Sequence, residues 1–250
     1  IILFGIPEQK DPLGSEAWNP DGIVQLALQD CRDVVGEDMV LIADLCIDEY
    51  TDHGHCGVVR EDGSVDNDET INIYGRVAQA QARAGADIVA PSGMMDGQVR
   101  AIREALDKDN HKEVAILAYS AKYASGLYGP FRDAVDVTIA DGGDRKTYQQ
   151  DWRNRREALA EIRADEEEGA DMIMVKPAIS YLDIIAEARN ITDLPIAAYH
   201  VSGEYAMIKA AASQNLIDGD VVALEQLTAI KRAGADFILT YLTREIAETL

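Results

Sequence analysis

The sequence is poor in cysteine and has no long apolar run. It has three cysteines, Cys31, Cys46 and Cys56. A low and odd number of cysteines disfavours a disulfide framework and indicates a reducing compartment such as the cytoplasm. No window approaches the roughly 18 uninterrupted apolar residues of a membrane helix, so we expect no membrane partner.

Lysine is also scarce, and negative charge is in large excess. Only 8 of the 23 basic residues are lysines, against 45 Asp and Glu, and the formal net charge is −22. Such a surface repels nucleic acid, so we expect no nucleic-acid partner. Many carboxylates with few lysines are typical of a halophile's solvated surface, and an ordinary acidic cytosolic enzyme is the alternative.

No Gly-x-Gly-x-x-Gly segment opens a helix, which disfavours a dinucleotide-binding fold. The sequence instead contains short apolar runs without alternation, which are typical of parallel strands buried on both faces. The predicted strands are Ile1–Phe4, Met39–Ala43, Ile88–Ala90, Val114–Ala118, Met172–Val175, Ile196–Tyr199 and Phe237–Thr240.

Helical patterns lie between these runs. Val99, Ile102 and Leu106 follow helical spacing, and a glycine such as Gly234 ends a helix ahead of the next strand. Strands that alternate with helices predict an α/β fold, and we favour a TIM (β/α)8 barrel over an open doubly wound sheet. We expect residues 1–250 to form a single catalytic barrel domain, with the first strand of the barrel upstream of this chain.

Two lysines stand at the carboxyl ends of predicted strands. Lys122 follows the strand that begins at Val114, and Lys176 directly follows Val175. In a barrel, active sites are built at this end of the strands. A lysine that is withdrawn from water there favours the neutral amine that forms a Schiff base with a ketone. The alternative is a lysine that reaches the solvent along apolar neighbours.

The segment Ala43–Gly57 follows a predicted strand and concentrates metal-binding side chains. It contains Cys46, His53, His55, Cys56 and several carboxylates within 15 residues. Thiolate, imidazole and carboxylate groups are all ligands of Zn²⁺. The segment therefore predicts a metal site, and a polar loop with incidental His and Cys is the alternative.

Two long loops are predicted, over Asp48–Glu69 and Ala124–Asp151, and loops of this length often carry function. The second loop follows Lys122 and contains Arg132 and Arg145. The planar guanidinium forks of these arginines suit a substrate carboxylate, and the glycines near them suit a lid. The alternative is a mobile loop with solvated charges.

Several segments spread over almost the whole chain combine into one pattern. They are Leu3–Pro7, His53–Gly57, Ala90–Ser92, Met94–Gly97, Lys122–Arg132, Met174–Pro177, Tyr199–Tyr205 and Arg232–Tyr241. Each segment is weak alone, but jointly they are highly specific. On these motifs the sequence resembles the porphobilinogen synthase family, also called 5-aminolevulinate dehydratase.

The resemblance implies a barrel whose N-terminal arm builds a homo-octamer, and we expect that arm and the first strand to lie upstream of this chain. It also implies the condensation of two 5-aminolevulinate molecules to porphobilinogen with loss of two waters, in tetrapyrrole (heme) biosynthesis. On the family pattern, Lys176 forms the Schiff base with the first-bound substrate, which becomes the propionate side. Lys122 forms the Schiff base with the second substrate.

The resemblance further assigns the contacts that position the substrates. Ser202 and Tyr241 resemble the residues that hold the first carboxylate, and Asp44 and Ser92 lie where the family positions the first amino group. The second carboxylate is held at the positions of Arg132, Arg145 and Gln149.

The metal positions of the family read Cys46, Asp48 and Cys56 here. Zinc-type members carry three cysteines and magnesium-type members carry acidic residues, so this set departs from both. We expect zinc, held more weakly than by three thiolates, with Mg²⁺ or Mn²⁺ as the alternative. Glu161 matches a position that binds a second, allosteric Mg²⁺ in many members, and a solvated helix-face carboxylate is the alternative there.

A second departure from the family is Gly93, which lies between Ser92 and Met94. The family usually has Asp at this position, so a carboxylate beside the active site is missing. Nothing in the sequence shows what replaces it.

Two other functions fit parts of the sequence. A class I aldolase on the same fold uses one Schiff-base lysine, but it leaves the second lysine and the metal loop without roles. A truncated, non-catalytic metal-binding or subunit-contact module fits the abrupt start at Ile1. The presence of both lysines together with the metal loop disfavours this module.

Overall fold

The computed structural model of the chain describes residues 1–140 and 143–247. It contains two compact units, each built from separate parts of the chain. Unit 1 comprises residues 1–119, 135–149 and 167–171, and unit 2 comprises residues 120–134, 150–166 and 172–250. None of the described helices is both long enough and apolar enough to span a membrane. The single catalytic domain over residues 1–250 stays a prediction.

Unit 1 is built on parallel strands. Its strands are β1 (Ile2–Leu3), β2 (Ile42–Leu45), β3 (Val58–Val59), β4 (Val65–Asp66), β5 (Ile88–Pro91) and β6 (Ala115–Lys122), and the last residues of β6 belong to unit 2. β1, β2, β5 and β6 pair in parallel in that order, whereas β3 and β4 form an antiparallel hairpin. The register places Ile42 opposite Ile88, and Ile88 opposite Ala115. β2 is buried along its whole length, as the apolar run that leads into it predicts.

Three helices accompany these strands in unit 1. They are α1 (Ile23–Val35), α2 (Asn67–Arg83) and α3 (Gln98–Lys108). α2 begins after Asp66, whose carboxylate accepts a hydrogen bond from the backbone N–H of Glu69. On α3, the side chains of Val99, Ile102 and Leu106 are fully buried, as their spacing predicts. Burial stabilises the unit by about 1.5–3 kcal/mol for each such side chain.

Unit 2 repeats the parallel arrangement. Its further strands are β7 (Met172–Lys176), β8 (Ile196–His200) and β9 (Phe237–Thr240), and β8 pairs in parallel with both of the others. Its helices are α4 (Gly129–Ala134), α5 (Arg155–Glu168), α6 (Leu182–Ile191), α7 (Ser202–Ser213), α8 (Gly219–Ala233) and α9 (Thr243–Ile246). The core between them is apolar and includes Ile162, Ile173, Ile185, Ile196 and Ile230.

Every predicted strand is found, but some boundaries differ. β2 begins at Ile42 rather than at Met39, because Met39 and Val40 are 41% and 51% exposed and precede the buried part of the unit. β6 continues past the predicted end at Ala118 as far as Lys122. The longer strand carries the lysine on its last, buried residue.

The two predicted long loops contain regular structure. Asp48–Glu69 includes the β3–β4 hairpin and the start of α2. Ala124–Asp151 includes a 3-10 turn at Gly126–Tyr128 and then α4, and residues 141 and 142 of this stretch lie outside the described residues. Pro130 is compatible with the first turn of α4, because a backbone N–H at that place has no partner within the helix.

His200 joins three elements of unit 2. It is fully buried at the end of β8. Its Nδ1 lies 3.1 Å from Thr240 Oγ1 on β9, and its Nε2 lies 3.2 Å from Gln226 Oε1 on α8. Burial lowers the pKa of His200, and the contact with Gln226 opposes this only partly. The neutral imidazole is therefore the form that the folded chain favours.

We expect His200 to make the folded chain less stable in acid. Unfolded histidine has an ordinary pKa of about 6.5. Between that value and the lowered folded value, the unfolded chain binds more protons, so the free energy of unfolding decreases as the pH falls. His200→Gln should flatten this dependence by up to about 1.4 kcal/mol per pH unit, as measured by urea unfolding at a series of pH values.

Equal slopes for His200→Gln and the wild type would contradict the role given to His200.

Candidate active site

The three predicted metal ligands come together in unit 1. Cys46 and Asp48 lie in a tight turn after β2, in which the backbone N–H of Tyr50 donates to the carbonyl of Ile47 at 3.0 Å. Cys56 lies in the loop before β3. One ligand atom from each of the three predicted residues lies within 4.8 Å of the others, and all three side chains are buried. We call these three residues the metal group.

The chemistry of the metal group fits a bound cation. Burial raises the pKa of the Cys46 thiol well above its ordinary value, and Cys56 and Asp48 raise it further. Burial also raises the pKa of Glu49, and the charges of Asp48 and Asp44 add to this rise. Acidic groups that are crowded together out of water keep their ionised forms only beside positive charge. Two thiolates and a carboxylate therefore fit a divalent metal ion.

His53 and His55 lie beside the metal group but are not members of it. His53 Nε2 lies 3.2 Å from the carbonyl oxygen of Pro12. His55 Nδ1 lies 3.1 Å from Tyr148 Oη, which also accepts a hydrogen bond from the backbone N–H of Cys56. These contacts agree with the loop role that the resemblance implied for both histidines.

Arg145 brings positive charge to the metal group. Its Nη2 lies 2.8 Å from Asp48 Oδ2 and also donates to the carbonyl of Gly54 at 2.8 Å. Burial opposes the charge on this guanidinium, but the neighbouring Asp48 holds the pKa of Arg145 above its ordinary value. The structure thus pairs Arg145 with a predicted metal ligand, and its contact with a substrate carboxylate stays a prediction.

The other residues predicted to bind the second carboxylate carry unpaired polar atoms. The side-chain amide nitrogen and oxygen of Gln149, in unit 1, are buried and have no hydrogen-bond partner among the described residues. The same holds for Arg132 Nε, in unit 2. Because a buried unsatisfied polar group costs about 1–3 kcal/mol, such atoms are typical of a site that a ligand completes.

Asp44 and Ser92, which the resemblance places at the first amino group, are adjacent. Asp44 lies on β2 and Ser92 directly follows β5, and the parallel pairing of these strands brings their carboxyl ends together. Ser92 Oγ donates a hydrogen bond to Asp44 Oδ2 at 3.0 Å, and both side chains are buried. Two buried polar groups in contact form a suitable place for an ammonium group, which a carboxylate attracts.

The two lysines are buried at the ends of neighbouring segments in unit 2. Lys122 ends β6 and Lys176 ends β7, and their side chains are only 5% and 6% exposed. The backbone N–H of Tyr123 donates to the carbonyl of Lys176 at 3.0 Å. This hydrogen bond holds the backbone next to Lys122 against the backbone of Lys176. Their burial disagrees with the alternative of lysines that reach the solvent.

Aromatic rings surround the amine of Lys176. Its Nζ lies 4.4 Å from the ring centroid of Tyr199 and 5.4 Å from those of Tyr128 and Phe131. Aromatic faces attract a cationic nitrogen and also keep water away from it. This environment is suited to a lysine that reacts as a nucleophile in a dry pocket.

Ser202 and Tyr241 each contact one of the aromatic residues that flank Lys176. Ser202 Oγ accepts a hydrogen bond from the backbone N–H of Phe131 at 3.1 Å. Tyr241 Oη lies 3.4 Å from Tyr199 Oη. Because Phe131 and Tyr199 both flank Lys176, the structure gathers Lys176, Ser202 and Tyr241 around one set of rings.

Glu161 lies half-buried on α5, beside the buried positions Ala158 and Ile162. It belongs to no group of three metal-ligand side chains among the described residues. Its role as an allosteric metal ligand stays a prediction.

Two buried polar side chains lie close to the predicted site residues, although the sequence predicted no role for them. They are Tyr74 of unit 1 and Glu204 of unit 2. The Glu204 carboxylate accepts hydrogen bonds from the backbone N–H groups of Ile179 and Val201, each at 2.6 Å. Because Ile179 lies in the segment after Lys176, this carboxylate ties that segment to the start of α7. Burial raises the pKa of Glu204, although its backbone donors oppose the rise. The available signal was its place in the first turn of a helix, where Glu often caps the backbone.

The parallel strands alternate with helices, and the buried lysines and the metal group lie near the carboxyl ends of strands. These features together define an enzyme of the α/β-barrel class. The sequence profile of the family described as "Delta-aminolevulinic acid dehydratase" matches residues 1–249. The chain belongs to the delta-aminolevulinic acid dehydratase family.

Similar proteins agree with this family. The chain is 58% identical to the delta-aminolevulinic acid dehydratase of Streptomyces coelicolor, over 100% of this chain and 76% of the relative. It is 56% identical to that of Mycobacterium tuberculosis, over 96% of this chain and 73% of the relative. A crystal structure of the Toxoplasma gondii delta-aminolevulinic acid dehydratase (porphobilinogen synthase), in complex with the reaction product porphobilinogen, is 48% identical. It superposes with a TM-score of 0.97 over 100% of this chain and 71% of that one.

These similarities confirm three predictions. The fold class is an α/β barrel of this family. The family is that of porphobilinogen synthase, and the activity is that of a lyase which forms porphobilinogen in heme biosynthesis. The similarity leaves no support for the class I aldolase.

We expect Glu204→Ala to destabilise the chain by about 2–4 kcal/mol, because two buried N–H groups lose their acceptor. Glu204→Gln retains one side-chain oxygen and should cost less. Urea unfolding measures both changes. The control is Glu187→Ala, because Glu187 is 41% exposed and forms only a surface ion pair with Arg155, worth about 0–1 kcal/mol. A Glu204→Ala variant as stable as this control would contradict the role of Glu204.

Proposed function

We propose that Lys176 and Lys122 carry the condensation by forming Schiff bases with two 5-aminolevulinate molecules. In each case the lysine amine attacks the substrate ketone, and the carbonyl oxygen leaves as water. Lys176 receives the molecule that becomes the propionate side, and Lys122 receives the second. The observation that carries this proposal is the burial of both lysines at strand ends, with the Tyr123 backbone bonded to the Lys176 carbonyl.

Two pairs of residues hold the first substrate. Ser202 and Tyr241 bind its carboxylate, which is supported by the hydrogen bond of Ser202 with Phe131 and the contact of Tyr241 with Tyr199, two residues that flank Lys176. Asp44 and Ser92 bind its amino group, which is supported by the 3.0 Å hydrogen bond between them. Holding both ends of the molecule fixes the ketone for attack and lowers the entropic part of the barrier.

The carboxylate of the second substrate is bound by Arg132, Gln149 and Arg145. The unpaired buried donors Arg132 Nε and Gln149 Nε2 support this assignment, because a carboxylate would accept their hydrogen bonds. Arg145 uses Nη2 for Asp48 and Gly54, but its buried Nε has no partner among the described residues. That N–H remains for a ligand.

The metal group holds Zn²⁺, with Mg²⁺ or Mn²⁺ as the alternative. Two sulfur ligands favour the softer zinc ion, whereas the oxygen of Asp48 is a ligand that all three ions accept. A bound Zn²⁺ supplies Lewis acidity to an oxygen in the site. Arg145 orients Asp48 from outside the group, so this pair keeps one carboxylate oxygen in place for the ion.

Four further properties belong to the proposal. The net charge of −22 with few lysines supports an enzyme of a halophile. The low cysteine number supports a cytoplasmic location. By family resemblance, the protein forms a homo-octamer and binds a second, allosteric Mg²⁺ at Glu161 on the half-buried side of α5.

Borohydride trapping with 5-aminolevulinate should label two lysines, Lys122 and Lys176, as read by peptide mapping. Lys176→Ala and Lys122→Ala should each lose one label and lower turnover by roughly 10³-fold or more, the scale of losing a covalent nucleophile. Lys112→Ala, at an exposed position, should keep both labels and full turnover. A single labelled lysine in the wild type would contradict the two-lysine mechanism.

After chelation, Zn²⁺ added alone at high salt should restore porphobilinogen formation, because the two thiolates prefer a soft ion. Cys46→Ser and Cys56→Ser should lose this response, whereas Cys31→Ser, which lies on α1, should keep it. Recovery with only Mg²⁺ or Mn²⁺ would overturn the zinc assignment. The metal content of each protein, measured by atomic emission, gives a readout that does not depend on turnover.

A further inference from the structure

The space beside Gly93 is filled by Tyr74. A Cβ atom built on Gly93 would lie 1.7 Å from Tyr74 Oη and 2.6 Å from its Cζ. These distances are far inside any allowed contact, and Tyr74 is fully buried, so its ring has little room to move. A side chain at position 93 and the observed Tyr74 are therefore mutually exclusive.

The Tyr74 hydroxyl that fills this space also contacts the metal group. Tyr74 lies on α2, and its Oη donates a hydrogen bond to the carbonyl oxygen of Cys56 at 2.5 Å. The same oxygen lies 3.7 Å from Cys46 Sγ, within hydrogen-bond range for sulfur. One phenol thus links the two segments that supply the sulfur ligands.

We propose that Tyr74 is a positioning residue of the metal group, and that Tyr74 and Gly93 act as a pair in which the phenol occupies the place of a side chain at position 93. This inference rests on the proposed metal-binding function of Cys46, Asp48 and Cys56. The tyrosine holds the Cys56 backbone on one side and Cys46 Sγ on the other. The missing side chain at position 93 is what allows the hydroxyl to reach both.

The pair affects how tightly the metal group binds an ion. Groups that hydrogen-bond to metal ligands fix the orientation of those ligands, and their loss typically weakens metal binding by about 10–100-fold. Tyr74 donates its single O–H proton to the Cys56 carbonyl, so it acts on Cys56 through the backbone and on Cys46 Sγ by contact at 3.7 Å. A change in the position of either sulfur changes its overlap with a bound metal ion. Removal of the hydroxyl should therefore change the absorption of a bound transition metal as well as its affinity.

Tyr74→Phe tests the hydroxyl, because it keeps the ring and removes only Oη. Zn²⁺ affinity, measured by competition with a chromophoric chelator, should fall by about 10–100-fold. With Co²⁺ in place of zinc, the sulfur-to-cobalt charge-transfer band should shift. Tyr181→Phe is the matched control, because Tyr181 is a buried tyrosine of unit 2 that stacks on Tyr123. It should leave both readings unchanged.

The pairing is tested by a double-mutant cycle. Gly93→Ala should weaken Zn²⁺ binding and lower the unfolding midpoint, because its Cβ overlaps Tyr74. The same substitution in a Tyr74→Leu background should cost much less, because the smaller side chain leaves room for the Cβ. Equal effects of Gly93→Ala in both backgrounds would overturn the pairing.

The outcomes separate this inference from the proposed function. If the wild type binds Zn²⁺ through sulfur but Tyr74→Phe has wild-type affinity and an unchanged cobalt spectrum, Tyr74 is not a positioning residue. If the wild type shows no sulfur-to-cobalt band at all, the metal group itself is wrong. Loss of affinity with unchanged thermal unfolding of metal-free Tyr74→Phe supports positioning over a general structural role.

Discussion

Parallel pairing of short, buried strands is the constraint on which the positions of the candidate site residues depend. Two parallel strands are joined by a crossover, usually a helix, so the strands of a unit that pair in parallel run in the same direction and end at the same edge. In unit 1 this brings Asp44 on β2 next to Ser92 after β5. In unit 2 it carries Lys176 and His200 to the ends of β7 and β8. Residues far apart in the chain thereby become neighbours on a rigid support.

Burial of charge is costly, and several buried charged groups of the chain have local partners. Asp48 pairs with Arg145, and the Glu204 carboxylate accepts two backbone N–H groups. Lys176 lies among aromatic rings. Removing one member of such an arrangement leaves the other uncompensated, which costs more than the pair contributes. The stability of a buried charged side chain such as Asp48 therefore depends on its partner, here Arg145, and substitution of either one destabilises the other.

Much of the fold could be predicted, because the relevant signals are local. Continuous apolar runs predicted the strands, and helical spacing predicted α3. The boundaries were less certain, since apolar character does not decide burial: Met39 and Val40 are as apolar as Leu41, yet only Leu41 is buried. Tyr74 lies on the buried face of α2, but no local pattern predicts the partners of its hydroxyl, because helical spacing describes direction and not contacts.

The sequence by itself determined the alternation of strands and helices, the places of Lys122 and Lys176 at strand ends, and the family. These follow from local patterns and from motifs that a reader can match residue by residue. Only the tertiary structure decided that Arg145 pairs with Asp48 and that a tyrosine of α2 fills the space left at Gly93. The physical reason is that such contacts depend on distances between side chains of remote segments, which packing sets and no local pattern encodes.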